Sequence, residues 1–212
     1  MRRKNQERTE NWDDAAGSVP EKRPARLRPA LGHNGRQTMR RTTATTEYLK
    51  ECMGTALLEL MQEKPIEKIS IEEMTARADV GRSTYFRYFK TKDEVLVFKI
   101  QQLWNRFAQD HNIQDFQAND DARTAIRLFF EFCLSIRQIN DLLYRVGHQQ
   151  VILDVYLQIL RPEKQEEDVI AYYKSNETAY ALYGVVNAWI LRGYKESPAQ
   201  MGEILYALEG NF

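Results

Sequence analysis

Residues 70–92 read SIEEMTARADVGRSTYFRYFKTK, and the fold turns on whether this is one helix or two. Ser70 stands where a helix N-cap belongs, with Glu73 three positions on in a capping-box relation. Ile71, Met74 and Ala78 then share one face, and Asp79-Val80-Gly81 breaks the period. From Arg82 the period resumes. Tyr85 and Phe89 lie one turn apart and point inward with Val80, Ser83 and Arg87 point the opposite way, and Thr84, Phe86 and Tyr88 flank them. Two short helices around a three-residue turn, behind a longer helix, are the layout of a helix-turn-helix.

Outward from this stretch the chain stays helical in period. Upstream, TTATTEYLKECMGTALLELMQE (42–63) puts Leu49, Met53, Ala56, Leu57 and Leu60 on one face, and Pro65 ends it. Downstream, Thr91 caps a longer helix over 92–111 with acids in its first turn. Beyond residue 115, one amphipathic segment opens at Asp120 and Asp121, and the next splits near Gly147 and stops at Pro162. Another runs from an Asn176 cap to a Gly193 C-cap, and the last starts with Ser197 as cap and Pro198 at the first helical position. The expected fold is all-α with eight to nine helices: a compact helix-turn-helix unit over 42–91 and a larger helical bundle over 92–212.

The chain has 212 residues and a net charge of zero. Within residues 1–41, however, eleven Lys or Arg face five acids, a net of +6, which leaves −6 for the rest. A cationic arm ahead of an acidic body favours a polyanionic partner. Residues 1–41 lack apolar periodicity and read as a disordered basic tail; alternatively, Met39 is the start and the tail is not translated. Cys52 and Cys133 both sit in apolar helical patterns, so no disulfide framework is expected and a reducing cytoplasm is the default. No apolar run reaches the roughly 18–20 residues of a membrane span.

The stretch ISIEEMTARADVGRSTYFRYFKTKDEVL (69–96) resembles the DNA-binding motif of the TetR family of bacterial transcriptional regulators, and the likeness extends over about 45–100. A looser similarity at 180–205 covers a Gly, a Trp-Ile pair and a Ser-Pro helix start. The resemblance implies that Arg82, Ser83, Thr84 and Arg87 contact bases and nearby backbone, that Tyr88 and Lys92 contact phosphate, and that Ser70 and Thr45 are further phosphate candidates. Three positions depart from the pattern. Phe86 stands where the family has a tyrosine whose hydroxyl donates a hydrogen bond to phosphate, Asp79 replaces a turn glycine, and Gly81 replaces a serine cap.

Elsewhere, Trp104, Phe107, Phe129, Phe132, Cys133, Tyr144, Tyr156 and Tyr183 are candidates to line an effector pocket, though the same rings would serve as bundle core. Ala181, Gly184, Ala188 and Trp189 on one helix, with Met201, Leu205 and Leu208 on the next, form stripes suited to a four-helix dimer interface, as the family builds. No catalytic constellation or metal-type spacing is legible, so neither enzyme, cofactor nor metal is expected; His148 is isolated in sequence. The expected function is a cytoplasmic, homodimeric DNA-binding repressor of a near-palindromic operator, released by a small-molecule effector. The alternative is a helical protein-interaction module that acts through a partner protein.

Overall fold

The computed structural model describes residues 35–113, 122–161 and 168–209, and these contain helices and turns but no strand. The basic segment 1–34, Asp120, Asp121 and Pro162 lie outside the described residues. Helix α1 runs over Gly35–Glu63, so it takes up the last seven residues of the segment expected to be tail. Pro65 follows its end and precedes a single 3-10 turn, Ile66–Lys68. Then come α2 (Ile71–Arg77), α3 (Arg82–Tyr88) and α4 (Lys92–Asp110). The larger part adds α5 (Ala122–Ser135), α6 (Arg137–Arg145), α7 (Gln150–Ile159), α8 (Val169–Leu191) and α9 (Pro198–Glu209).

Caps fall mostly where the sequence puts them, because a cap is a local affair. Ser70 Oγ accepts from the Glu73 amide at 3.1 Å, and Thr91 Oγ1 accepts from the Glu94 amide at 3.1 Å. Ser197 and Gln200 satisfy each other's amides at 2.8 and 3.3 Å. Gly147 and Gly193 carry φ of +77° and +74°, the left-handed geometry that ends α6 and α8. One cap differs. Helix α8 starts about two turns earlier than Asn176: Asp168 caps it, accepting from the Ala171 amide at 2.9 Å, and Asn176 lies inside the helix with its amide on the Tyr172 carbonyl.

Helix α4 is the spine, packed against α1 on one side and α7 on the other, while α5 pairs with α9. Gly54 permits the α1–α4 crossing: a Cβ there would lie 2.6 Å from Lys99 Cβ, which no real contact tolerates. The apolar stem of Lys99 therefore lies against bare backbone, and the residue is 1 % exposed. The core is continuous from Met53, Leu57 and Tyr85 through Leu96 and Leu103 to Phe130, Ile139 and Trp189. No described helix is long and apolar enough to cross a membrane.

Candidate nucleic-acid interface

The core of the small domain dictates what α3 can present. Tyr85 and Phe89 are 2 % and 6 % exposed, packed ring against ring at 6.1 Å, so the opposite side of this helix must face outward. Arg82, Ser83, Phe86, Arg87 and Tyr88 are exposed, and Thr84 is half-buried. Arg82 has Glu72 at 3.8 Å, with both side chains largely in solvent, so this pair restrains the guanidinium little. Such a face offers fork-shaped donors for phosphate or guanine and small hydroxyls that permit close approach.

Tyr88 borders this face toward α1. Lys50 Nζ lies 5.4 Å from its ring centre, and the Thr46 hydroxyl, followed by the Arg87 guanidinium, holds its phenol below the usual range. Thr45 is exposed on α1 and Ser70 is exposed at the start of α2, so both hydroxyls border the same small domain; Ser70 is already engaged as a cap.

The structure places Lys92 differently from the sequence expectation. Its ammonium turns inward and donates to the carbonyls of Ile66 and, at 2.9 Å, Ile69. The residue is half-buried and ties the 3-10 turn to the first turn of α4, so it is not a free phosphate ligand here. Lys90, not among the residues expected to contact DNA, is exposed beside α3.

The turn between α2 and α3 accounts for two departures noted above. Asp79 has φ of +55°, the left-handed region in which glycine is unstrained and aspartate is among the better-tolerated alternatives. Gly81 caps α3 without any side-chain hydrogen bond. Both substitutions leave the motif's geometry intact while weakening its local support.

His148 was unreadable from sequence because its partners are distant. From the turn between α6 and α7 its Nε2 meets Glu67 Oε1 at 3.1 Å, and its Nδ1 lies 3.7 Å from Asp93 Oδ1. The imidazole thus links the large bundle to the 3-10 turn and to the start of α4. Glu67 is held below the ordinary carboxylate range, first by a backbone hydrogen bond and then by the bond from His148.

The expected pocket residues are brought together, but as packing. Trp104 meets Phe132 at 5.1 Å and Phe107 at 6.3 Å, while Phe129 meets Tyr156 at 5.3 Å. The void left among Trp104, Phe129, Tyr156 and Leu182 is about 10 Å³, room for roughly one water. The Tyr144 hydroxyl donates to Asn187 Oδ1 and lies against Tyr183. Cys133 is buried and shares a hydrogen bond with the Tyr156 hydroxyl at 3.4 Å.

Burial raises the thiol of Cys133 to about 12 and the phenol of Tyr144 to about 12, and pushes Tyr156 well above its ordinary value. Acid groups raised by folding contribute no loss below their unfolded pKa, about 9 for the thiol and 10 for the phenols. Above that, stability falls as pH climbs toward the folded values. Tyr156→Phe should therefore flatten the loss of stability between about pH 9 and 11, read as denaturant midpoints, relative to the parent. Parallel alkaline curves for the two proteins would show that Tyr156 does not contribute.

The interface stripes divide. Ala181, Gly184 and Ala188 are exposed on α8, and Leu208 is 46 % exposed on α9. Trp189, Met201 and Leu205 are not available: they are 1 %, 4 % and 4 % exposed. Trp189 packs on Phe130 and Tyr194, and α9 lays its apolar face on α5. A helical wheel cannot tell which of two apolar neighbours a stripe will meet, and here the chain's own helices take these three.

Taken together, the buried Tyr85–Phe89 pair, the three-residue turn and the outward basic face of α3 define a helix-turn-helix DNA-binding protein. Residues 55–97 match the family model for bacterial regulatory proteins, tetR family. These residues thus carry a TetR-type DNA-binding domain, the kind found in DNA-binding transcriptional regulators. The likeness at 180–205 lies outside the matched residues. Comparison with curated proteins and with solved structures gives no match.

Proposed function

We propose that the protein is a homodimeric repressor that binds a near-palindromic operator through α3 and is released by a small-molecule effector in the cytoplasm. The observation that carries the DNA-binding part is the face of α3: Arg82, Ser83 and Arg87 are exposed on a helix whose other side is fixed by buried Tyr85 and Phe89. Support for a dimer comes from α8. Tyr173, Tyr180, Ala181, Gly184, Ala188 and Leu191 recur at helical spacing and are all exposed, with Tyr173 and Leu191 at 69 % and 71 %. A Cβ on Gly184 would meet nothing, which leaves that stretch of backbone open to a close-packed neighbour.

A dimer would set two recognition helices about 34–36 Å apart, one turn of DNA. An effector would act by preferring a state with another separation, and to enter the bundle it would have to part Trp104, Phe129 and Tyr156. Selection of random DNA fragments by the purified protein tests the reading. An enriched palindrome is the expected result; retention without sequence enrichment would favour a module acting through a partner protein. With the selected operator, Arg87→Ala should weaken binding by about 1–3 kcal/mol at one base position. Unchanged affinity in a gel-shift titration would remove Arg87 from base readout.

A further inference from the structure

Phe86 is 63 % exposed on α3, yet Tyr85 and Phe89 already supply that helix's core. Its ring stands edge-on to Tyr85 at 5.2 Å and 82°, so a buried neighbour fixes its direction. Around it on the same outward half are Arg82, Ser83 and Arg87. The ring also edges an open cleft with Ile66, Ile71 and His148, but this cleft leaves most of it in solvent. A large apolar side chain within a basic reading surface needs an apolar counterpart on the DNA.

Resting on the DNA-binding reading above, we propose that Phe86 is a specificity-determining residue that packs on the 5-methyl group of a thymine in each operator half-site. Phenylalanine has no donor, so contact with a phosphate would strip water from the oxygens and return no hydrogen bond. On the floor of the major groove the apolar group is the thymine methyl, which distinguishes thymine from cytosine. The neighbouring arginines read guanine or phosphate, so Phe86 adds a preference for A·T pairs that they cannot supply.

The test uses the full-length protein and its selected operator, with each thymine replaced in turn by deoxyuridine, a change that removes the methyl alone. One symmetric pair of replacements should weaken the parent about fourfold per half-site, the value of one buried methyl-sized group, and so roughly fifteenfold in all. Phe86→Ala, an exposed substitution that leaves the Tyr85–Phe89 core in place, should be indifferent to that pair and still prefer the operator through Arg82 and Arg87. Parent protein insensitive to every deoxyuridine overturns the proposal. So does a Phe86→Ala protein that keeps the full uridine penalty, or a Phe86→Tyr protein that gains affinity equally for all sequences, which marks a phosphate position. Failure to select any operator in the first place is a different result: it removes specific DNA binding and the methyl contact with it.

Discussion

Trp189→Ala is expected to cost about 3–5 kcal/mol of folding stability, the largest effect of any single change considered. The indole is 1 % exposed, with Phe130 at 5.4 Å and 90° and Tyr194 at 5.0 Å and 71°. Its Nε1 also donates to the Glu196 carbonyl at 2.9 Å, which ties the end of α8 to the turn before α9. Truncation would leave a cavity under two rings and an unpaired carbonyl. Trp189→Phe keeps most of the volume and should lose far less, about 1–2 kcal/mol. Because these partners belong to the same chain, the loss should be the same at low and high protein concentration. A deficit that vanishes on concentrating the protein would return Trp189 to the subunit interface.

Lys92→Ala should cost about 2–3 kcal/mol, since two backbone carbonyls lose a charged donor. Residue 92 lies at the first turn of α4 while Ile66 and Ile69 flank the 3-10 turn, so the lysine closes a span of more than twenty residues. Lys92→Met, which keeps the apolar stem, should recover little, because the ammonium makes the bonds. Operator affinity measured below the melting transition should keep its dependence on salt, as a phosphate contact would contribute about 0.9 to the slope. A variant of parental stability with a flatter salt dependence would restore the phosphate role and contradict the geometry.

Much of the fold was legible because its signals are local. Ser70, Thr91 and Ser197 cap within their own first turns, and Gly147 and Gly193 turn the chain with dihedrals that need no distant partner. The division of α3 into a core side and an outward side followed from periodicity, and the burial of Tyr85 and Phe89 agrees with it. What the sequence left hidden was choice between partners. Trp189 sits on a stripe that two neighbours could cover. Lys92 could reach a phosphate or a carbonyl, and the carbonyls lie 23 and 26 positions upstream. His148 meets carboxylates 81 and 55 residues away, a separation no spacing rule reaches.

That last contact has a thermodynamic consequence. Glu67 sits in the turn that Lys92 ties down and Asp93 starts α4, so His148 bridges the α6–α7 turn to both sides of one braced corner. The 3-10 turn and the start of α4 are thus in direct contact with the α6–α7 turn. If operator binding shifts this contact, a ligand that displaces the turn and operator DNA must change each other's affinity by the same factor.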